Sequence, residues 1–204
     1  MKKIVVMSDN HGYRNIIEEI KRLEPDGDFY VHCGDSEGME KDLKGWISVR
    51  GNNDWMAKLD DEIMFETEGL AFLVTHGHRY GYLNRETMMV DDLLRHGCDV
   101  LLSGHTHVPQ CDNIDGFYLI NPGSTTLPRQ GSNKSYCVIY VDKGQLEVEF
   151  KEITKKHTNV CYFLMASTKG FEPLTARLEG VCSIQLSYVD FFINCSNNIT
   201  YKII

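Results

Sequence analysis

Basic residues are scarce in this chain: 21 Lys and Arg stand against 29 Asp and Glu, for a net charge of -8 over 204 residues. Sequence-independent binding of nucleic acid rests on many Lys and Arg contacts to phosphates, so the balance argues against stable nucleic-acid binding. A phosphate-bearing ligand would have to be drawn in by cations. Long apolar runs are also missing. None approaches the roughly 18 to 20 residues needed to cross a bilayer, so no membrane partner is expected. Ile4-Val5-Val6-Met7, behind Lys2 and Lys3, is too short for the apolar region of a secretory signal. The seven cysteines form no Cys-x-x-Cys pair and no even set, which fits reduced thiols in a cytoplasmic protein. A composition of 42% hydrophobic and 25% charged residues is that of an ordinary globular domain. It is compatible with a homo-oligomer.

The first half alternates strand-like and helix-like segments. Lys3 to Met7 reads as a strand, and Ile16, Ile17, Ile20 and Leu23 recur at helical spacing before Pro25 and Gly27 end the pattern. Residues 28–33, 46–50 and 70–75 read as further strands, favouring parallel strands buried on both faces. Asn84 is placed to cap a helix carrying Met88, Met89, Leu93 and Leu94 and closing at Gly97, followed by a strand over 99–103. Beyond it, 109–113 with 117–120, and 136–142 with 145–153, read as hairpins turning at Asp115-Gly116 and Lys143-Gly144, so a second sheet should be largely antiparallel or mixed. Two mixed sheets packed face to face with helices outside give a four-layer α/β sandwich.

Five polar motifs each stand directly after one of these strands: Asp9-Asn10-His11, Gly34-Asp35, Gly51-Asn52-Asn53-Asp54, His76-Gly77-His78 and Gly104-His105-Thr106-His107. The fold would therefore deliver all five to one edge. Asp9 and His11, two residues apart in an extended segment, point the same way and can share an ion. Asp35 has two oxygens and can bridge two cations. Asn52 offers an amide oxygen; His76, His105 and His107 offer ring nitrogens. These seven ligands suffice for two divalent ions with positions left for water. Imidazole and carboxylate without thiolate favour Mn, Fe, Zn, Co or Ni over Mg or Ca. Two divalent ions, two carboxylates and a hydroxide leave roughly one positive charge, which suits a singly charged phosphodiester.

In this order the motifs, with Asn121-Pro122-Gly123-Ser124 after them, resemble the binuclear metallophosphoesterase (calcineurin-like) superfamily, and within it the small phosphodiesterases of the YfcE type. The resemblance covers residues 1 to about 155. It implies the metallophosphoesterase fold, with one metal on Asp9, His11, Asp35 and His107 and another on Asp35, Asn52, His76 and His105. It implies two divalent ions, Mn2+ foremost, and hydrolysis of a small phosphodiester by attack of a metal-bridging hydroxide. A phosphomonoesterase is the alternative within enzymes. The alternative outside them is a metal-binding, non-catalytic scaffold of the kind formed by the retromer subunit Vps29. Many superfamily members carry His directly after the motif asparagine, where it can protonate the leaving alkoxide. Here that position is Asn53, a poor proton donor, which makes His78 the candidate acid and groups it with Asp35 and Asn52 as catalytic.

The remaining candidates have plainer readings. His32 lies in an apolar strand and reads as a satisfied core histidine; Cys33 reads as core packing; Tyr80 and Arg129 read as exposed loop residues. Asn121 to Ser124 either frames a substrate or makes a turn. Residues 158–204 form an atypical tail outside a domain spanning 1–157. They hold 3 Lys and Arg against 3 Asp and Glu, where 1–157 holds 18 against 26. Gly170-Phe171-Glu172-Pro173 and Ser183-Ile184-Gln185-Leu186-Ser187-Tyr188 are similar to peptides read from the antisense strand of a transfer RNA gene.

Overall fold

The computed structural model describes residues 1–154, so the expected tail over 158–204 lies outside the described residues. In chain order the elements are β1 (Lys2–Met7), α1 (Asn15–Leu23), β2 (Phe29–His32), a short 3-10 turn (Glu40–Leu43), β3 (Ile47–Ser48), β4 (Glu62–Thr67), β5 (Leu70–Thr75), α2 (Arg85–His96), β6 (Val100–Leu102), β7 (Pro109–Ile114), β8 (Phe117–Pro122), β9 (Ser135–Asp142) and β10 (Gln145–Glu152). They build two mixed sheets with orders β10-β9-β1-β2-β3 and β4-β5-β6-β8-β7. No helix among the described residues is long and apolar enough to cross a membrane.

Each sheet has a parallel run: β1-β2-β3 reaches one edge of the first sheet, with the antiparallel β9 and β10 on its other side, and β5-β6-β8 forms the centre of the second, with the antiparallel β4 and β7 at its margins. Strand alternation sorts the side chains into layers. Ile4 and Val6 of β1 face Phe72, Val74, Val100 and Leu102 of the second sheet in a shared core. Their neighbours Val5 and Met7 point outward against Ile16, Ile17 and Ile20 of α1. On the far side Leu73, Leu101 and Leu119 receive Met89 and Leu93 of α2. The layers are thus helix, sheet, sheet, helix, the expected sandwich.

Several local expectations need correction. The two sheets are mixed as expected, but the strands are shared between them differently from their order in the chain: β5 and β6 belong with β7 and β8, while the β9-β10 hairpin returns to pair with β1. Strand β4 escaped notice because its half-buried sequence, Glu-Ile-Met-Phe-Glu-Thr, is interrupted by carboxylates on its outer side; it pairs with β5 through the Glu68-Gly69 turn. In α2 only Met89 and Leu93 of the four named apolar residues are buried, and Met88 and Leu94 face out. Asn84 starts that helix in a left-handed conformation without a side-chain cap, whereas Gly97 closes it as expected, with its N–H on α2 carbonyls.

Candidate metal centre

All five polar motifs leave the C-terminal ends of parallel strands β1, β2, β3, β5 and β6, and the Asn121–Ser124 segment lies at the same end of β8. A parallel sheet presents those ends on one edge, and two such sheets face to face bring both edges together. Asp9 Oδ1 consequently lies 3.2 Å from His107 Nε2, 3.9 Å from His11 Nε2 and 4.0 Å from His76 Nε2. His76 Nε2 is 3.5 Å from Asp35 Oδ2 and 3.2 Å from Asn52 Oδ1. Two trios of ligand atoms fall within 4.8 Å of one another: Asp9, His11 and His107, and Asp9, Asp35 and His76. His105 is in neither trio; its ring lies 5.2 Å from that of His76 and its N–H donates to Asp9 Oδ2 at 3.1 Å. Asp9 thus reaches toward both groups, a role that sequence reasoning gave to Asp35 alone.

The loops that carry these groups are held in an uncommon backbone state. Asp9, His11, Asp35, His105 and His107 all have positive φ, between 42° and 68°, which costs on the order of 1–3 kcal/mol each for residues with a Cβ. Two motif glycines permit the close approach. A Cβ on Gly104 would lie 2.0 Å from Ser8 Oγ and 2.6 Å from Asp9 Oδ2, and one on Gly51 would lie 2.0 Å from Asp35 Oδ1. Any side chain at either position would push a loop off the carboxylate beneath it.

The ring protons are assigned by their partners. His76 Nδ1 donates to the Cys33 carbonyl at 2.7 Å and His107 Nδ1 to the Leu127 carbonyl at 2.6 Å; His11 Nδ1 meets the Glu37 carboxylate at 2.8 Å. Each Nδ1 faces a group that only accepts, so in the neutral imidazoles the Nε2 atoms carry lone pairs. Those lone pairs converge on carboxylate and amide oxygens. Asp9 Oδ1 at their centre is buried and has no hydrogen-bond partner among the described residues. The electrostatics follow. Burial pushes the Asp9 and Asp35 carboxyls upward, but the imidazoles and, at Asp35, the Asn53 amide groups hold both below the usual range. Burial pushes His76 and His107 downward, but the Asp35 and Asp9 carboxylates respectively, which each ring would meet as a donor once protonated, outweigh it and raise them. His105, without such a partner, is lowered by burial and by His76 to about 4. A donor set of this kind fits divalent cations: it offers nitrogen and oxygen lone pairs, net negative charge and Nδ1 atoms already fixed.

The profile of the calcineurin-like phosphoesterase superfamily domain matches residues 1–144. The chain belongs to that superfamily. A protein of Mycoplasma pneumoniae named probable metallophosphoesterase is 34% identical over 155 residues, covering 72% of this chain and 94% of that one. Phosphodiesterase YfcE of Escherichia coli K12 is 29% identical over 150 residues, covering 67% and 71%. A crystal structure from Streptococcus pneumoniae, described as a predicted phosphoesterase, matches with a TM-score of 0.69 and 28% identity over 76% of this chain and 94% of that chain. Vps29 of Entamoeba histolytica, crystallised with zinc, shares the fold with a TM-score of 0.60 and 19% identity, covering 74% and 98%.

Several groups that position the candidate ligands stand in motifs visible in the sequence, but their roles were not. Asp54 is buried and accepts from four donors, Asp35 N and Gly51 N at 2.8 Å, Glu37 N at 2.7 Å and Ser36 Oγ at 3.1 Å. It clamps the Asp35 and Gly51 loops together. Its signal was available in the fourth position of the Gly-Asn-Asn-Asp motif. Ser124 Oγ donates to the Asp9 carbonyl at 2.7 Å, and Asn121 Nδ2 donates to the Gly104 carbonyl at 2.7 Å. The Asn-Pro-Gly-Ser segment therefore props the ligand loops. His32 and Cys33 behave as expected. His32 is buried, accepts from Gly34 N and reaches Asn10 Oδ1 at 2.7 Å, while Cys33 packs in the inter-sheet core. Tyr80 corrects the sequence reading: it is buried in the α2 layer, with its hydroxyl donating to Asp92 at 2.7 Å.

His78 sits beside the centre, its ring 5.5 Å from His76 and 6.2 Å from His105. Its Nδ1 is buried with no partner among the described residues, and burial with the neighbouring His76 lowers its pKa. Asn53 donates twice to Asp35, from N at 2.8 Å and from Nδ2 at 2.6 Å.

Proposed function

We propose that this protein is a metal-dependent phosphodiesterase that holds two divalent ions on Asp9, His11, Asp35, Asn52, His76, His105 and His107. The observation that carries the reading is the convergence of three Nε2 lone pairs on the unpartnered, buried Asp9 Oδ1. A metal ion relieves such a cluster without rotating rings that are tied at Nδ1, and it competes there with protons on His76 and His107. The ion near His11 and His107 would rest on Asp9, and the ion near His76 would rest on Asp35 and Asn52, with His105 closing in from the adjacent loop. Nitrogen and oxygen donors without thiolate suit Mn2+, Fe, Zn, Co or Ni over Mg or Ca, and the superfamily resemblance puts Mn2+ first among them. Ions bound there would supply Lewis acidity toward a phosphoryl group and a water made nucleophilic near neutral pH.

The chain's own residues supply the positioning. Glu37, Cys33 and Leu127 fix three imidazoles through their Nδ1 atoms, Asp54 fixes Asp35, and the Ser124 hydroxyl and the His105 backbone N–H fix Asp9. Such orientation matters because electrostatic stabilisation is effective only when the groups need not reorganise during the reaction. Asn53 steadies Asp35 and supplies no acid. His78 is the titratable ring beside His76 and His105 available to meet a leaving oxygen. A ligand set with two carboxylates leaves a net charge that matches a diester better than a doubly charged monoester.

The test is a panel in which the chelated protein is reloaded with single divalent ions and assayed on aryl diesters, alkyl diesters and monoesters. Diester turnover that appears with Mn2+ and is absent from the chelated protein is the expected outcome. Tight metal binding with no phosphoester turned over would favour the scaffold reading, and turnover confined to monoesters the phosphomonoesterase reading.

A further inference from the structure

The chain has two tryptophans, and they live in opposite environments. Trp46 is 8% exposed, in the α1 layer beside Tyr30 and His32. Trp55 is 86% exposed and the adjacent Met56 is 75% exposed. A single exposed apolar residue needs no explanation. These two are consecutive, however, and with Glu37, Gly38 and Asn53 they wall a cavity of about 260 Å³.

Two residues of the cavity wall touch ligands of the candidate metal centre. Asn53, on one wall, donates through N and Nδ2 to Asp35, and Glu37, on the other, meets His11 Nδ1 at 2.8 Å. Both walls are tied by hydrogen bonds to Asp54 and its neighbours. The buried Asp54 accepts from Glu37 N on one side and from Gly51 N on the other, so the carboxylate that fixes Asp35 also fixes the gap between the walls. Trp55 N donates to the Asn53 carbonyl at 3.1 Å, and Lys58 N donates to Glu40 Oε1 at 2.6 Å, tying the far end of the loop to the 3-10 turn. The indole is thus held by its backbone beside the centre while its ring remains open to solvent.

We propose that this cavity seats the arm of the phosphodiester that is not expelled, when that arm is a planar aromatic group such as a nucleobase or an aryl ring, and that Trp55 selects it by stacking. The inference rests on the phosphodiesterase reading. Three features define the ligand. An indole face binds a flat π-system with little regard to its edge groups. Met56 adds a polarizable thioether that adapts to the ring's outline. The Glu37 carboxylate and Asn53 amide present polar atoms that suit a hydrogen-bonding ring edge, and the carboxylate repels a second phosphate. The seat therefore favours diesters with a neutral aromatic arm over polyphosphates and over diesters with small alkyl arms.

Three diesters that share a p-nitrophenolate leaving group and differ in the other arm, methyl, phenyl or thymidin-5′-yl, test this with the Mn2+-loaded protein. The parent should show higher kcat/KM for the aromatic arms than for methyl. Trp55→Ala should reduce that ratio by about 5- to 100-fold, chiefly through KM, the usual range for loss of one base-stacking contact. Trp55→Phe should restore most of it. An aromatic preference that is absent from the parent, or unchanged in Trp55→Ala, overturns the seat while leaving the phosphodiesterase reading intact, because methyl p-nitrophenyl phosphate is still hydrolysed. If no diester is hydrolysed, that reading fails, and fluorescence decides the seat separately. Thymidine 5′-methyl phosphate should saturably quench the emission that Trp55→Phe removes, and dimethyl phosphate should not. Lack of saturable quenching by the thymidine diester overturns the proposal.

Discussion

His11 Nε2 and His107 Nε2 face each other at 3.2 Å although 96 residues separate them in the chain. Their Nδ1 atoms are committed to Glu37 and to the Leu127 carbonyl. Two neutral rings so arranged point lone pairs at one another, so either a proton or a metal ion must lie between or beside them. The raised pKa of His107 is the proton's answer to that demand, since the hydrogen bond and charge of Asp9 outweigh the burial that pushes the ring down.

Metal binding should therefore release protons. His76 and His107 are raised above the usual imidazole value, so near neutral pH each retains partial occupancy by a proton that a metal must displace. His105, lowered to about 4, and the depressed carboxyls of Asp9 and Asp35 do not compete. Apparent metal affinity should rise with pH above the ordinary imidazole value, until both raised rings have lost their protons, and then level off. Calorimetric titration in buffers of different ionisation enthalpy measures the released protons, and a release near zero at pH 7 would contradict the assignment.

Asp35→Asn should lower turnover by at least ~100-fold, because a ligand that contributes to transition-state charge stabilisation is worth several kcal/mol. Asn52→Ala, which removes a neutral oxygen, should lose less. Steady-state kinetics on purified variants at saturating Mn2+ decides it, with near-normal rates in Asp35→Asn counting against two cooperating ions.

Asp54→Asn should destabilise the fold while leaving the ligand set intact. Both carboxylate oxygens accept two donors, so an amide nitrogen at either position confronts donors with a donor. A loss of roughly 1–3 kcal/mol, the range for a buried group left unsatisfied, should appear in urea unfolding of the metal-free protein. An unchanged urea midpoint would mean that the clamp contributes nothing.

The site was more legible in the sequence than the sheets that carry it. Asp9, His11, Asp35, His76 and His107 each sit in a short motif after an apolar run, and that local pattern is enough to place them on strand ends. Which strands pair is set by contacts across the whole chain, so nothing near Ser135–Asp142 indicates that it lies against Lys2–Met7. Strand Glu62–Thr67 was hidden by its own outward carboxylates. The orienting roles were hidden for a related reason: Glu37, Leu127 and Ser124, the last of which stands in a motif visible in the sequence, act on partners up to 115 residues away, often through backbone carbonyls that carry no side-chain signature. Tyr80 looked like a surface loop residue because its partner, Asp92, is supplied by a helix that folds back over it.

Asn53 makes a further kinetic prediction. It spends its amide on Asp35 and cannot protonate a leaving alkoxide, so rates should fall steeply as the leaving group becomes more basic. Asn53→His should help alkyl-leaving diesters more than nitrophenyl ones, by an amount within the ~10²- to 10⁴-fold range of general acids. A parent rate that is independent of leaving-group pKa would point to another acid, with His78→Ala as the next variant to assay.

The residues from 158 onward are expected to be dispensable, since the superfamily match ends at residue 144 and every candidate ligand precedes it. Truncation after Lys156 should leave metal content and turnover unchanged. Loss of folding in the truncated protein would show instead that the tail contributes to the core.

The central claim is that two cations occupy the converged lone pairs and act together. Titrating chelated protein with Mn2+, with native mass spectrometry counting bound ions and diester hydrolysis measured at each step, tests it most directly. Two ions per chain are predicted, with hydrolysis tracking the second and Asp35→Asn retaining at most one. Full activity with a single bound ion, or in the presence of excess chelator, would contradict the account.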